Sequence, residues 1–407
     1  MISKRTIEDV ITWQLATVNP SSFERQMLKD IHLDHRQFAY IITGIRRCGK
    51  STLIQQIMRS HADESVYLNF DTPNMYGFRI EDFRILDVII DEKKARWLFF
   101  DEIQVVQGWE IYIRSKLEQG YHVVITGSNS TMLSRELGTR LTGRHLSYTL
   151  YPFSFQEYLG YTNQTASEET LDRYLACGGM PEYVQTQDPL ILTNLISDIL
   201  YRDILVRYNL HDESAMKNLF VYLMGNIGNL TSANRLTSAI NVKSAATVTS
   251  YFSYLEDSFM VKFLPKFSYS YKSQLLNPKK IYSIDLGLHN VSTPSFSQDR
   301  GHKLENIVYL ELLRSNHSLF YFNENQHECD FVLFHNNAPV SAIQVCEKIH
   351  HDNEGREVGG LNEAMKALGI KKGMILTASQ EDLLYDGDRE IQIMPVWKWL
   401  TTPTIAP

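Results

Sequence analysis

The sequence of 407 residues is too long for a single hydrophobic core and indicates two or three domains. Hydrophobic residues make up 43% and charged residues 21% of the chain, which is the composition of an ordinary soluble globular protein. The net charge of −7 gives no global attraction for nucleic acid or for an anionic membrane, so any such contact must be local.

No segment has the signature of a membrane, zinc or disulfide protein. No apolar run approaches the length that a membrane helix needs, and residues 1–5 lead into an amphipathic segment instead of a secretory signal. The four cysteines are far apart and form no Cys-x-x-Cys pair. We therefore expect a protein of the reducing cytoplasm, without a membrane partner.

Residues 1–37 are predicted to form a helical lead-in. Apolar spacing indicates one helix over residues 6–16 and a second over residues 21–31, interrupted by Asn19 and Pro20. We expect this lead-in to pack beside the loop that follows it.

That loop, residues 44–51, matches the phosphate-binding pattern G-x-x-x-x-G-K-[ST]. It lies between an apolar run typical of a buried strand and a segment with helical spacing, which is the context the pattern requires. Its glycines allow a nest of backbone N–H donors, and the helix start adds the positive end of its dipole. Lys50 would contact the β- and γ-phosphates, and Ser51 would offer its hydroxyl to Mg²⁺. The predicted nucleotide site consists of Gly44, Ile45, Arg46, Arg47, Cys48, Gly49, Lys50, Ser51 and Thr52.

Residues 38–151 alternate apolar runs with helical segments, which is typical of a parallel α/β sheet. The third apolar run ends in Asp101 and Glu102. Asp101 is placed to hold Mg²⁺, and Glu102 to orient or deprotonate the attacking water. The alternative is a strand that merely ends in solvated acids. The predicted strands are 38–43, 65–71, 95–100, 122–126 and 146–151.

Polar side chains after the fourth strand are further candidates. Asn129, or as second choice Ser128, would hold the attacking water or the γ-phosphate; an ordinary turn is the alternative. Arg144 or Arg140 would stabilise charge on the γ-phosphate, from the same chain or from a neighbouring subunit. Ordinary surface arginines are the alternative here.

Residues 152–212 are predicted to be mainly helical, and residues 213–290 to form a winged helix, because three helical patterns precede two strand-like runs. Between residues 214 and 285, eight Lys or Arg residues stand against three Asp or Glu residues. Tyr269 and Tyr271 alternate with lysines, which suits backbone contact and stacking on double-stranded DNA. A module that only packs, with solvated edge lysines, is the alternative. The helical patterns are 215–226, 232–240 and 245–257, and the strand-like runs are 259–264 and 279–284.

Residues 300–400 are predicted to form an α/β domain whose order of elements, a helix followed by three strand-like runs, a second helix and two strands, resembles the restriction-endonuclease fold. Such a nuclease needs carboxylates that share Mg²⁺ and a lysine that activates water. Glu305 and Asp330 fit the two acidic positions, but the following strand offers Gln344 and Cys346, with Lys348 as a displaced lysine on the same face. An amide and a thiol are poor Mg²⁺ ligands, so we expect a degenerate nuclease site.

Taken together, the motifs resemble bacterial and archaeal AAA-type ATPases of the archaeal-ATPase branch. The resemblance implies a P-loop ATPase core with an additional strand, a catalytic glutamate and the sheet order 5-1-4-3-2. It also implies a helical lid, a winged helix, a nuclease-like C-terminal domain, and ATP as the nucleotide. The motifs that carry it are GIRRCGKST (44–52), FFDEI (99–103), ITGSNS (125–130), LTGR (141–144), YPFSFQEY (151–158), GGMPEY (178–183) and YRDI (201–204).

We therefore expect Mg²⁺-dependent ATP hydrolysis that drives or gates a rearrangement of the winged-helix and nuclease-like modules. One alternative is an ATP-gated DNA-binding switch with slow turnover, and another is a residual metal-dependent nuclease. Double-stranded DNA, a protein client and further copies of this chain in a homo-oligomer remain open as partners.

Overall fold

The computed structural model describes residues 2–19, 21–128, 143–293, 300–315, 317–324 and 327–402. The chain divides into two compact units. One consists of Met1–Tyr151 with Asp257–Phe259, and the other of Pro152–Glu256 with Met260–Pro407. In the part of the chain described, no helix combines the length and apolar character that crossing a membrane would require.

The first unit contains a five-stranded parallel sheet in the order β2-β3-β4-β1-β5. This confirms the expected order, in which the additional strand β4 lies between β1 and β3. Every residue of β1 is buried, as expected for a strand covered on both faces. The strands are β1 (Ala39–Thr43), β2 (Ser65–Asn69), β3 (Trp97–Asp101), β4 (His122–Gly127) and β5 (His145–Thr149).

Helices cover this sheet, and the apolar residues of three of them, Lys4–Ala16, Phe83–Glu92 and Trp109–Glu118, join one core cluster with β1–β4. The first predicted lead-in helix is present, but the second, over residues 21–31, is not: only a 3₁₀ turn, Gln26–Lys29, forms. Residues 21–25 lie along the helix after the phosphate loop, where the Gln56 amide donates to the Phe23 carbonyl oxygen at 2.7 Å. The helices are α1 (Lys4–Ala16), α2 (Lys50–Arg59), α3 (Phe83–Glu92) and α4 (Trp109–Glu118).

The second unit begins with the helical segment that the sequence predicts. Its last member, Ile199–Val206, is a π-helix that continues α8. The α-helices are α5 (Phe155–Thr162), α6 (Glu168–Cys177), α7 (Pro181–Thr186) and α8 (Pro189–Asp198).

Two glycines at the end of α6 allow a close approach of backbone segments. A Cβ on Gly179 would lie 2.3 Å from the Phe153 carbonyl oxygen, and one on Gly178 would lie 2.4 Å from the Gly287 nitrogen. The buried Asp285 carboxylate accepts a hydrogen bond from the Gly179 nitrogen at 2.6 Å. The Gly-Gly pair of the GGMPEY motif therefore has a packing role.

A small antiparallel sheet, in the order β6-β8-β7, follows among short helices. The second predicted helix of this module, over 232–240, is reduced to four residues. The connection between β7 and β8 carries a helix that the sequence did not predict. The elements are α9 (Glu213–Met224), β6 (Leu230–Thr231), α10 (Ala233–Leu236), α11 (Ala245–Asp257), β7 (Val261–Leu264), α12 (Tyr271–Leu276), β8 (Lys279–Ser283) and α13 (Leu286–Ser292).

The C-terminal part is a six-stranded mixed sheet in the order β13-β14-β12-β11-β10-β9. Its three central strands β11, β12 and β14 are parallel, and the long helix α15 packs on β10 and β11 through its buried apolar residues. The described chain is thus mixed α/β, as predicted. The elements are α14 (Arg300–Leu313), β9 (Ser318–Glu324), β10 (His327–His335), β11 (Ala338–Val345), α15 (His351–Leu368), β12 (Lys372–Thr377), β13 (Asp382–Asp386), β14 (Arg389–Pro395) and α16 (Val396–Trp399).

Candidate functional site

The phosphate loop connects β1 to α2 and needs both of its glycines. Gly44 has a φ of 147° and Gly49 a φ of 102°, values that side chains disfavour. A Cβ on Gly44 would also lie 2.2 Å from the Leu150 carbonyl oxygen. Ile45 and Cys48 are buried and anchor the loop to the domain, and the Cys48 thiol lies 3.4 Å from the same Leu150 oxygen.

The Lys50 side chain lies inside this loop and is only 3% exposed. Its ammonium donates to the carbonyl oxygens of Gly44 and Ile45, each at 3.1 Å. It also lies 3.5 Å from a carboxylate oxygen of Glu102. The fold therefore brings together the phosphate-loop lysine and the glutamate that follows β3. Ser51 and Thr52, both half-buried, occupy the first turn of α2.

Asp101, at the end of β3, is fully buried and accepts hydrogen bonds on both oxygens. Asn69 donates at 2.8 Å and the Tyr67 hydroxyl at 3.0 Å to one oxygen, and the Thr126 hydroxyl donates to the other. Burial, and next the charge of Glu102, raise the pKa of Asp101, while hydrogen bonds from Ser51, Thr126 and Tyr67 oppose the increase.

Three of these partners were missed by sequence reasoning. Tyr67 and Asn69 lie on β2 and Thr126 on β4, the strands that flank β3. Polar residues near the carboxyl ends of neighbouring parallel strands were the available signal, because those ends meet at one edge of the sheet. The hydrogen bonds show that they position the Asp101 carboxylate.

Glu102 follows directly, in the left-handed region with a φ of 50°. Its backbone nitrogen donates to the Thr126 hydroxyl at 2.9 Å, and its carboxylate accepts from the Gln104 amide. Burial tends to raise the pKa of Glu102, but the Lys50 ammonium, Gln104 and Arg46 outweigh it, and the pKa lies below its ordinary value. The side chain is thus a carboxylate at neutral pH.

The other predicted site residues differ in where the structure places them, and two of them lie outside the described ranges. Ser128, at the end of β4, is buried, and its hydroxyl has no hydrogen-bond partner among the described residues. Asn129 and Arg140 lie outside the described residues. Arg46 points toward Asp71, with 3.7 Å between guanidinium and carboxylate, and Arg47 has a positive φ of 63°.

Arg144 lies at the opposite edge of the sheet from the phosphate loop. It immediately precedes β5, and its carbonyl oxygen accepts from the nitrogen of Ala39, the first residue of β1. The loop follows the last residue of β1, and five strand residues span about 16 Å. A role for Arg144 within its own chain therefore loses support, and a role from a neighbouring subunit stays a prediction.

A second polar cluster is buried in the C-terminal part of the chain. Lys280, on β8, is 2% exposed. Its ammonium lies 2.6 Å from a carboxylate oxygen of Asp330, 2.8 Å from one of Glu328 and 2.9 Å from one of Glu305. The Tyr282 hydroxyl donates to the same Glu305 oxygen at 2.6 Å. The predicted acids Glu305 and Asp330 thus both contact Lys280, which from its sequence had been counted with the possible surface lysines.

The neighbouring predicted positions also have protein partners. The Gln344 amide donates to Glu357 at 2.7 Å and its oxygen accepts from the Asp330 nitrogen at 3.1 Å. Cys346 is buried, and burial raises the pKa of its thiol to about 12. Strand β11 ends at Val345, so Lys348 is exposed and does not share a strand face with Gln344; the displaced-lysine alternative is wrong.

The connection between β7 and β8 presents aromatic and basic side chains to solvent. Tyr269 is 89% and Tyr271 73% exposed, and Lys272 is exposed beside them. Between residues 258 and 284 the sequence contains five lysines and no acid. In contrast, α11, the third helix of this predicted module, contains neither Lys nor Arg.

Comparison with known proteins assigns families along the chain. A model of the AAA domain matches residues 36–159. Two models of domains of unknown function, DUF8612 and DUF4143, match residues 168–299 and 300–399.

Two solved structures share 14% identity with the chain. The match with AMPPCP-bound DnaA from Aquifex aeolicus covers 57% of this chain and 85% of the DnaA chain, with a TM-score of 0.29. The match with Cdc6p of Pyrobaculum aerophilum covers 68% of this chain and 96% of the Cdc6p chain, with a TM-score of 0.27.

Two relatives match along most of their length. The uncharacterized protein MJ1544 of Methanocaldococcus jannaschii is 31% identical over 393 residues, covering 89% of this chain and 88% of that protein. An uncharacterized protein of Haemophilus influenzae is 30% identical over 334 residues, covering 76% and 83%. With its AAA and DUF4143 domains and its match to the Methanocaldococcus protein, the chain belongs to a family of AAA-type P-loop ATPases with a C-terminal DUF4143 domain.

Proposed function

We propose that this protein hydrolyses ATP with Mg²⁺ and uses the cycle to rearrange the modules that follow the ATPase core. The observation that carries the proposal is the convergence of Lys50, Asp101 and Glu102 at one edge of the sheet. Lys50 binds the β- and γ-phosphates, and the ionised Glu102 accepts a proton from the attacking water. The buried hydroxyl of Ser128 is available to the γ-phosphate or the water, a role also proposed for Asn129.

The residues present fit a magnesium ion. Mg²⁺ prefers oxygen ligands, which the Asp101 carboxylate and the Ser51 hydroxyl can both supply. The two groups are close enough for the Ser51 hydroxyl to donate a hydrogen bond to Asp101. Asn69, Tyr67 and Thr126 hold the carboxylate in place. When bound, the ion neutralises charge on the phosphates. The protein's own contribution is to orient Asp101 and to keep Glu102 ionised.

The proposal is tested by measuring phosphate release from ATP by the full chain with Mg²⁺, and again with excess EDTA. We expect turnover with Mg²⁺ and a loss of at least about tenfold with EDTA, because the γ-phosphate charge is then unshielded. A repeat with short duplex DNA separates two modes of use, since stimulation indicates a DNA-coupled cycle and indifference indicates a protein client. Absence of turnover in all conditions would refute the enzymatic proposal.

A second candidate function is an ATP-gated contact with double-stranded DNA. It is favoured by the exposed Tyr269, Tyr271 and Lys272 in a stretch without acids. We infer that residues 213–290 are a winged helix, since β6 lies between the helices α9 and α10, α11 follows, and β7 and β8 complete a three-stranded antiparallel sheet after it. The exposed residues of α11 include no cation, so we infer that the lysines of the connection between β7 and β8, and not this helix, would contact the phosphates.

For this contact we expect duplex binding to weaken with salt, and Lys272→Ala to reduce the slope of log affinity against log salt by about one. The measurement is fluorescence anisotropy of a labelled duplex over a salt series, with and without ATP. Lys93→Ala, at an exposed lysine that ends α3, is the matched control and should keep the wild-type slope. If Lys272→Ala also keeps that slope, the contact does not involve α12.

We infer that the C-terminal part does not cleave nucleic acid. Glu305 and Asp330, the acids that a nuclease would use for Mg²⁺, are bound by the Lys280 ammonium, and the second Asp330 oxygen accepts from the Val345 nitrogen at 2.8 Å. The ammonium neutralises these carboxylates, and its three N–H donors are taken up by Glu305, Glu328 and Asp330; unlike Mg²⁺, it cannot activate a bound water. Residual nuclease activity is therefore the least supported of the three functions.

A further inference from the structure

The guanidinium of Arg25 is buried directly against the phosphate loop. Arg25 is 4% exposed, and one terminal nitrogen donates to the carbonyl oxygen of Cys48 at 2.7 Å. The other donates to the carbonyl oxygen of Tyr151, also at 2.7 Å. A Cβ on Gly49 would lie 3.1 Å from the first of these nitrogens. The Arg25 guanidinium thus connects the phosphate loop to Tyr151, which lies two residues beyond the end of β5.

The Cys48 oxygen belongs to the peptide group that joins Cys48 to Gly49. A trans peptide is planar, and its C=O and N–H bonds point in opposite directions. When Arg25 binds the oxygen, the Gly49 N–H is therefore directed away from Arg25. In a phosphate loop, N–H groups of this kind make the nest that holds the phosphate oxygens.

The segment that carries Arg25 is held on α2 independently of the guanidinium. The Gln56 amide donates to the Phe23 carbonyl oxygen at 2.7 Å and its oxygen accepts from the Arg25 nitrogen at 3.4 Å. Arg59, farther along α2, donates to the Asn19 carbonyl oxygen and to the Ser22 hydroxyl. Asn19, Ser22, Phe23 and the Arg25 backbone are thus held on α2 by hydrogen bonds that do not involve the Arg25 guanidinium.

The charge of Arg25 also reaches the loop. Burial raises the pKa of the Cys48 thiol, and the cations Lys50 and Arg25 both oppose that increase. The Arg25 guanidinium is a planar cation with several N–H donors. It lies on the carbonyl side of the loop, where it complements the negative ends of the peptide dipoles.

We propose that Arg25 is a positioning residue for triphosphate binding, which holds the Cys48–Gly49 peptide with its N–H directed at the phosphates and adds a fixed positive charge behind them. The inference rests on the proposed nucleotide site, and it assigns to the lead-in segment a part in that site. Arg25 does not contact the phosphates itself. It acts through the backbone of the loop.

The test compares Arg25→Met with Arg25→Lys in the full chain, by calorimetric titration with ATP and with inorganic tripolyphosphate. We expect Arg25→Met to weaken both ligands about tenfold or more, as for a lost hydrogen bond to a charged group. The factor should be equal for the two ligands because the effect is on the phosphates. Arg25→Lys keeps the charge but not the two-pronged donor, so its loss should be smaller. In turnover assays KM should rise far more than kcat falls.

Arg59→Met is the matched control. It removes the Arg59 hydrogen bonds to Asn19 and Ser22, which hold the segment that carries Arg25 on α2, but Arg59 donates no hydrogen bond to the loop carbonyls that Arg25 binds. It should lower the melting temperature of the ligand-free protein yet keep the wild-type tripolyphosphate affinity. If Arg25→Met lowers only the melting temperature, in the manner of Arg59→Met, the positioning role is refuted. Should Arg25→Met not fold, equal tripolyphosphate affinity in Arg25→Lys and wild type refutes it instead. Wild-type protein that binds neither ligand refutes the nucleotide site itself, which is a separate failure.

Discussion

Glu102→Gln is expected to bind ATP at least as tightly as the wild type while kcat falls by about 10²–10⁴, the usual contribution of a general base. Glutamine keeps the size of the side chain and its contact with Gln104, but it cannot accept the proton of the attacking water. It also removes the carboxylate that lies 3.5 Å from the Lys50 ammonium. Lys50 would then have one partner fewer to exchange for phosphate oxygens. Single-turnover hydrolysis and a fluorescent-nucleotide titration measure the two effects separately.

Glu118→Gln is the control for this variant. Glu118 is half-exposed at the end of α4 and pairs with Arg114 at 3.0 Å, so its neutralisation should change neither kcat nor ATP affinity. Hydrolysis by Glu102→Gln at the wild-type rate would show that another group activates the water. A loss of ATP binding in that variant would show instead that Glu102 stabilises the loop itself.

Lys280→Met is expected to destabilise the protein by about 3–5 kcal/mol at neutral pH, because removal of one member of a buried ion cluster leaves the others uncompensated. Burial, and next the charge of Asp330, raise the pKa of Glu305 even with Lys280 present. Between the carboxyl pKa of the unfolded chain and the higher carboxyl pKa of the folded chain, the folded chain keeps a proton that the unfolded chain has released. The free energy of unfolding therefore decreases as pH rises through this interval. Without the ammonium the interval extends to higher pH. The destabilisation should therefore grow with pH and shrink in acid.

Urea unfolding of the wild type and of Lys280→Met across a pH series measures this directly. Lys371→Met is the control, because Lys371 is 75% exposed and pairs with an equally exposed Asp388 at 3.3 Å. An exposed pair of this kind contributes less than about 1 kcal/mol. Equal stability of Lys280→Met and the control at every pH would show that the carboxylates do not depend on the ammonium. A rise in the urea midpoint of Lys280→Met with Mn²⁺ would show that the acids can accept a divalent cation once the lysine is gone.

The parallel sheet and the convergence of Lys50, Asp101 and Glu102 at its edge could be predicted from sequence because their signals are local. The phosphate loop is one uninterrupted pattern, and each strand of the sheet is a short apolar run. Asp101 and Glu102 follow such a run directly, so their position at the carboxyl edge was implied by the strand itself. The apolar run of β4 is equally local, whereas its place between β1 and β3 was implied by the family resemblance.

The parts that were missed depend on contacts between distant residues. Arg25 contacts Tyr151 across 126 positions of sequence, and Lys280 contacts Asp330 across 50. Nothing in the residues beside Arg25 or Lys280 distinguishes either from an ordinary surface cation. The predicted helix over 21–31 failed for the same reason, since backbone groups of that segment bond with Gln56 on α2 instead of within a helix. Tertiary hydrogen bonds outweighed the local helical preference.

The position of Lys280 has a consequence for how the chain can change in evolution. The boundary between the DUF8612 and DUF4143 segments falls between residues 299 and 300, and it separates the ammonium of Lys280 from the carboxylates of Glu305 and Asp330. Recombination at that boundary would join a domain that needs a cation to a neighbour that need not supply one. We therefore expect the two segments to be inherited together. Among relatives, loss of the lysine should be accompanied by neutral residues at the two acidic positions.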